Sequence, residues 1–290
     1  MQDIIQLLIG GISIGIIYGV TAIGFVLLWQ TSQTINFAQG EFVMVPMFLM
    51  VLFHVVLKIP LWPSILITIV LSSLMGYLFE KLMIKRLLPG GVIVIVIATL
   101  GLSGLLRYGM QIAWTPQTLF FPHLFSTEAI KIGTIVFSYE DVWNIVLISI
   151  IIMVLHLAIK KTRLGKAMQA VAQNRETATL MGINTSQIIL LVFSLNSVLA
   201  GIAAIFAAPI FFVRYDIGVY FGLKAFIAAV IGGFNQIRGA LVGGLAVGLV
   251  ETFAAAYIST AYRDAFTMIL LLVILLVNPE GIVGIKEEAY

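Results

Sequence analysis

Apolar runs of membrane-crossing length alternate with short polar stretches along the whole chain, at residues 4–28, 37–57, 62–79, 92–113, 141–159, 187–208, 219–234, 239–258 and 265–277. A helix rising ~1.5 Å per residue needs about 20 apolar residues to cross a hydrocarbon core about 30 Å thick, whereas a membrane β-strand needs only about 9–11. Backbone groups in lipid must find their partners within the protein, so runs of this length predict helices. The pattern predicts an all-α, polytopic transmembrane helical bundle of eight or nine spans, forming one domain over residues 1–290. The seventh and last runs are short, and Gly232-Gly233-Phe234-Asn235-Gln236 interrupts the sequence beside the seventh. A re-entrant or broken helix there is the alternative to a full span.

The polar stretch at about 160–186 has a pattern of its own. Apolar residues at 164, 167, 168, 171 and 172 recur at helical spacing and predict one apolar face. A second, two-turn helix follows, capped by Asn174, with Glu176 at the positive end of its dipole and Gly182 as a left-handed stop. Asn184, three residues before Gln187, caps the sixth span. A short helix with fixed ends in a loop suits the transmission of force to a soluble partner. An amphipathic segment lying on an anionic lipid surface is the competing reading.

Basic residues set the orientation, because Lys and Arg in short loops accumulate on the cytoplasmic side. Lys81, Lys85 and Arg86 follow the third run, and Lys160, Lys161, Arg163, Lys166 and Arg175 follow the fifth. Both clusters fall inside if the N-terminus is outside. The loop from Thr115 to Glu140, with Glu128 and Lys131, then lies outside with Arg214 and Arg263, and Lys286 at the C-terminus lies inside. Met1-Gln2-Asp3 lacks the positive region of a signal peptide, so the first helix is expected to be retained.

Composition narrows the function. The 290 residues are 61% hydrophobic and 10% charged, with a mean hydropathy of +1.13, against about 25% charged in a soluble domain. The net charge of +3 lies in loops rather than in a stripe, which argues against nucleic acid. There is no cysteine, hence no disulfide or thiolate chemistry. His54, His123 and His156 lack metal-ligand spacing. No catalytic or nucleotide-binding motif is present, so the chain reads as a transport subunit rather than an enzyme, its energy supplied by another subunit.

Several polar residues sit within or beside the apolar runs. Asn36 and Gln39 have the spacing of a capping box opening the second span, with Glu41 in its first turn. The functional reading is that they line the mouth of a pathway, with Pro46 bending the helix one turn on. Arg107 and Gln111 share a face of the fourth span, either on that pathway or snorkelling to the interface. Glu251, deep in the eighth run, reads either as a pathway residue or as one side of a static interhelical bond; it needs a partner, and Arg107, Lys224 or an Asn or Thr on a neighbouring helix are the candidates. Asn196, between Ser194 and Ser197, reads either as a pathway residue or as helix glue. Gly239-x3-Gly243 and Gly244-x3-Gly248 permit close helix approach, within the chain or against a sister subunit.

Glu176-Thr177-Ala178-x3-Gly182 resembles the Glu-Ala-Ala-x3-Gly loop of ABC importer permeases, although Thr177 replaces an Ala and the Ile-x-Leu-Pro ending is missing. Three further features resemble the LivH type of branched-chain amino-acid permease. These are Ile35-Asn36-Phe37-Ala38-Gln39-Gly40-Glu41-Phe42, the stretch from Arg175 to Asn184, and the stretch from Gly232 through Glu251 and Arg263-Asp264 to Asn278-Pro279-Glu280-Gly281. Asn278 stands where that family more often has Arg. The resemblance implies an ATP-driven importer in a prokaryotic cytoplasmic (inner) membrane. This permease would stand beside a LivM-like second permease, two cytoplasmic ATPase subunits carrying the ATP and Mg, and an extracytoplasmic solute-binding protein. It implies no cofactor on this chain, coupling through Arg175, Glu176, Thr177, Ala178 and Gly182, and alternating access for leucine, isoleucine and valine. Urea, short amides and other amino acids are the alternative cargo. An ion-coupled secondary transporter is the alternative of another class, although such proteins usually place more carboxylates at mid-membrane.

Overall fold

In the computed structural model, which describes residues 2–114, 116–125, 129–132 and 135–284, each of the nine apolar runs becomes a helix. Helix α1 is Gln2–Ser32, and α2 is Glu41–Met50, continued by a π-helical stretch Val51–Val56. Helix α3 is Leu61–Phe79, α4 Val92–Ala113, α5 Tyr139–Lys161, α6 Arg163–Gln173, α7 Arg175–Leu180, α8 Thr185–Phe211, α9 Ile217–Gly232, α10 Ile237–Tyr257 and α11 Arg263–Val277. Among the described residues, seven helical stretches are long and apolar enough to cross a membrane, and Glu41–Val56 and Ile217–Gly232 are shorter apolar helices.

Two local expectations change. The charges of Lys81, Lys85 and Arg86 predict a loop, but the helix runs on from α3 through π-helical Glu80–Ile84, Lys85–Leu87 and a 3-10 turn at Leu88–Gly90. Charge ends an apolar run without ending a helix, since Lys, Leu, Met and Arg are all good helix formers. The stop comes at Gly91, whose φ of 84° suits glycine. In the loop after α4, β1 (Ala129–Ile132) pairs antiparallel with β2 (Ile135–Ser138), Ala129 opposite Ser138. The alternation of Ile130 and Ile132, followed by Ile135 and Val136, is a strand signal. Thr115, Glu128 and Lys286 lie outside the described residues.

The chain divides into two compact units, Met1–Val26 with Pro122–Ile152 and Lys224–Tyr290, and Leu27–Phe121 with Met153–Leu223. In the first, α1 and α10 meet along glycines. A Cβ on Gly15 would lie 2.8 Å from the Leu245 Cα, and Cβ atoms on Gly244 and Gly248 would collide with the backbone of Gly19 and Gly15. Gly239 and Gly243 use another face of α10, against Gly232 and Ala228 of α9. With no side chain between them the backbones approach closely enough for dispersion to hold the helices together, which matters where lipid supplies no hydrophobic drive. The segment after α11 then closes on α9, with Ile282 N–H donating to the Ile231 carbonyl at 2.8 Å. Asn278 shapes that return, its Nδ2 donating to the Gly281 carbonyl at 2.6 Å.

In the second unit, α3 is inside-out. Ser64, Thr68, Ser72, Gly76 and Glu80 recur every fourth residue and are buried, while Trp62, Leu66, Val70, Leu74, Leu78 and Leu82 are exposed. Bulky apolar residues outside and small polar ones inside are the arrangement lipid favours. The buried stripe packs on α8, where Cβ atoms on Gly76 and Gly201 would strike Ser197 and Ser72 respectively. Phe79 stands between Phe42 of α2 and Phe193 of α8, with edge-on ring centroids 5.1 and 5.6 Å apart.

Candidate functional site

Between α1 and α2 the second unit holds a polar, non-helical break. The turn begins at Gln33, which adopts φ 52°, and Ser32 Oγ lies 2.6 Å from Thr34 Oγ1. Thr31, Ser32, Thr34, Asn36, Gln39 and Glu41 are all buried. Irregular backbone at membrane depth is tolerated where protein encloses it or where it lines a cavity, and broken helices of this kind form the binding sites of many transporters.

The side chains of the break are held partly by one another and partly by other helices, and not by a capping box. Asn36 Oδ1 accepts from the Ala38 N–H at 3.0 Å, and its Nδ2 reaches Gln39 Oε1 at 3.5 Å. Gln39 exchanges two hydrogen bonds with Asn196 of α8, Nε2 to Oδ1 at 2.7 Å and Nδ2 to Oε1 at 2.9 Å. An amide pair of this kind satisfies four groups at once. The expected cap fails because α2 begins only at Glu41, beyond the reach of Asn36.

Helix α4 supplies the facing polar groups. Thr99 Oγ1 accepts from the Phe37 N–H at 3.3 Å, and Ser103, one turn on, hydrogen-bonds the Glu41 carboxylate. Arg107, one further turn on, interacts electrostatically with Glu41. Gln111 completes a polar stripe of four residues at spacing four, covering about 18 Å of helix. Two atoms in this group are buried without a hydrogen-bond partner, Glu41 Oε1 and Arg107 Nε. The guanidinium also lies 5.0 Å from the Tyr108 ring centroid. Thr99 and Ser103 escaped the sequence reading, although their spacing to Arg107 and Gln111 was there to be seen.

The first unit contains a different polar cluster. Lys224 Nζ, on α9, lies 3.3 Å from Glu251 Oε2 and 2.8 Å from Asp264 Oδ1, and donates to Thr267 Oγ1 at 3.0 Å. Glu251 also accepts from Tyr18 Oη at 3.0 Å, and Arg263 Nε lies 3.5 Å from its other oxygen. Of the partners expected for Glu251, Lys224 is there; Arg107 instead neighbours Glu41. Two unforeseen ionic partners come from the start of α11, Arg263 for Glu251 and Asp264 for Lys224, and that helix start is close because Glu251 is only six positions from the end of α10. Outside this network, His123 Nδ1 meets Glu140 Oε2 at 2.6 Å, and His54 Nδ1 lies 2.9 Å from the Ile59 carbonyl.

The segment after α5 folds into the two short helices that its pattern predicts. Thr162 caps α6 by accepting from the Gly165 N–H at 3.0 Å. Asn174 Oδ1 accepts from the Thr177 N–H at 2.9 Å to open α7, Gly182 takes φ 83° beyond its end, and Asn184 Oδ1 accepts from the Gln187 N–H at 3.1 Å to open α8. Ala178 is buried, whereas Arg175, Glu176 and Thr177 are exposed. Leu180 and Met181 are 88% and 78% exposed, which leaves two large apolar side chains uncovered at the C-terminal end of α7, at the opposite end from Arg175 and Glu176.

Comparison with known proteins agrees with this architecture. A family model described as branched-chain amino acid transport system, permease component, matches residues 7–275. The chain is 30% identical over 296 residues to the high-affinity branched-chain amino acid transport system permease protein BraD of Pseudomonas aeruginosa, covering 98% of this chain and 96% of that one. It is 28% identical over 300 residues to the LivH protein of the same description in Escherichia coli K12, with the same coverage. A probable branched-chain amino acid transport permease protein LivH of Methanocaldococcus jannaschii is 27% identical over 280 residues, covering 91% and 87%. Among solved structures, PsaBC from Streptococcus pneumoniae in complex with Fab shares the fold, with a TM-score of 0.54 and 12% identity over 95% of this chain and 91% of that one. A family model that matches nearly the full length, together with a 30%-identical relative covered almost end to end, leads to one conclusion: the chain belongs to the family of branched-chain amino acid transport system permease components.

Proposed function

We propose that this chain is one of two paired membrane subunits of an ATP-driven importer that carries branched-chain amino acids across a prokaryotic cytoplasmic membrane by alternating access. A LivM-like second permease, two ATPase subunits holding ATP and Mg, and an extracytoplasmic binding protein complete the assembly. The N-terminus lies outside and the C-terminus inside. The observation that carries the reading is α7, six residues with a side-chain cap at one end and a left-handed glycine beyond the other. It offers Glu176, Leu180 and Met181 outward in a chain whose relatives are transport permeases. A helix this short is stable only because its ends are fixed, so a push on it moves α8 rather than unwinding α7. The solute path follows Asn36, Gln39, Glu41, Asn196 and the α4 stripe through Arg107 and Gln111, whereas Glu251, fully partnered, holds helices together.

The test is reconstitution of the chain with its co-purifying proteins, followed by uptake of labelled leucine and labelled urea. ATP-dependent leucine uptake is expected, and uptake driven by an ion gradient with no ATPase present overturns the reading in favour of a secondary transporter. Glu176→Lys is expected to abolish ATP-dependent uptake while membrane insertion and thermal stability stay at the parent level. Loss of insertion in that variant would remove α7 from the coupling role.

A further inference from the structure

A cavity of about 390 Å³ opens beside α7, and no transport role has been given to it. Its walls come from the extension of α3, the first residue of α7 and the first turns of α8. Glu80, Lys85 and Arg175 supply charge, and Ile84, Leu88 and Ile189 supply an aliphatic surface. Glu80 is 2% exposed, and its Oε2 has no hydrogen-bond partner. Among the described residues neither base comes within ion-pair distance of it, and Lys85 acts on it only at longer range. A buried carboxylate left in that condition is costly, and a cationic ligand group would offset the cost. The volume is in the range of small-molecule sites, which are mostly apolar with a few placed polar groups.

We propose that this cavity binds an aliphatic α-amino acid as a regulator. The chemistry selects that class on three counts. The ligand's ammonium answers the open oxygen of Glu80, its carboxylate is held by Arg175 and Lys85, and its branched side chain lies on Ile84, Leu88 and Ile189. A plain carboxylate leaves Glu80 unanswered, and a plain amine leaves both bases so. Because Arg175 is the first residue of α7 and Glu80 opens the π-helical turn of α3, an occupied cavity ties the two elements together. Tying them restrains the helix that must move for coupling, so accumulated amino acid slows its own import. This last step rests on the transport reading above, while the binding step does not.

The binding test uses the purified permease complex in detergent with labelled leucine. Saturable binding is expected, weakened at least about tenfold by Glu80→Gln, since a charge-assisted hydrogen bond is lost. Ser186→Phe, which fills the mouth of the cavity from an exposed position, is expected to weaken it too. Neither 4-methylpentanoate nor 3-methylbutylamine should compete. Binding indifferent to both variants, or equal competition by 4-methylpentanoate, overturns the site as drawn. Binding seen only after the ATPase subunits are stripped away makes the cavity part of the protein interface and overturns the regulatory role. In proteoliposomes, internal leucine is expected to slow the initial uptake rate several-fold, and in Glu80→Gln the ratio of loaded to empty rates should return to about one. An unchanged ratio in the variant overturns the proposal. Vesicles that take up no leucine even when empty overturn the transport reading instead, and the binding test still decides the cavity.

Discussion

The two buried polar clusters obey different rules. Around Glu251 both oxygens are met, by Lys224, Tyr18 and Arg263, and Lys224 is met again by Asp264 and Thr267. Around Glu41 the amides of Gln39 and Asn196 are fully reciprocated, yet a carboxylate oxygen and an arginine nitrogen beside them are left open. A buried charge is tolerated either because the fold answers it or because something else does so at another moment. We propose that the first cluster is a fastening and that the second handles polar cargo.

The largest effect that separates them comes from Lys224→Met. Removing the central cation leaves Glu251 with Tyr18 and the partly exposed Arg263, and breaking a buried pair from one side costs about 3–5 kcal/mol. Thermal unfolding in detergent should show this as a large drop in midpoint. A double replacement, Lys224→Met with Glu251→Met, should recover most of the loss, because an apolar pair of similar volume is often no worse than the ion pair it replaces. A double variant as unstable as the single one would show that the cluster does more than fasten α9 to α10.

Asn196→Ala comes next. It strands the Gln39 Nε2 in a buried setting and leaves its Oε1 only the 3.5 Å contact with Asn36 Nδ2, at a cost of about 1–2 kcal/mol, within the range measured for hydrogen bonds between membrane helices. Gln39→Leu combined with Asn196→Leu should be closer to the parent in stability than Asn196→Ala is, and should still transport poorly if the amides also line the solute path. Poor stability together with normal uptake would move the pair into the fastening class.

How much of this was legible varies with the range of the interaction. The apolar runs are local patterns, and every one of them is a helix. The caps at Asn174 and Asn184 are equally local, each reaching an N–H three residues on, and both stand where their spacing put them. Asn36 and Gln39 show the same spacing and behave otherwise, because Gln39 is taken by Asn196, 157 residues away. Nothing in a three-residue spacing distinguishes a cap from an amide waiting for a distant partner. Glu251 sits between these cases. Its need for a cation followed from the cost of burial, and Lys224 was among the few available, but Tyr18 and Arg263 are brought in by the packing of α1 and α11. The stripes Thr99-Ser103-Arg107-Gln111 and Ser64-Thr68-Ser72-Gly76 were readable at spacing four. They are easily passed over because Thr, Ser and Gly blend into an apolar run.

The smallest effect on stability, and the most informative, is expected from Glu41→Gln. The substitution keeps the size and one carbonyl oxygen for Ser103, and it removes a charge that the fold answers only in part, so stability should stay within about 1 kcal/mol of the parent. Uptake should nevertheless fall, because a neutral amide no longer attracts the ammonium of an amino acid, and leucine should suffer more than a neutral amide such as urea if the complex carries both. Arg107→Gln should show the same pattern for the carboxylate end. Should Glu41→Gln instead unfold as readily as Asn196→Ala with leucine uptake preserved, Glu41 would belong with Glu251 as a fastening, and the contrast between the two clusters would reduce to a difference in how completely each is partnered.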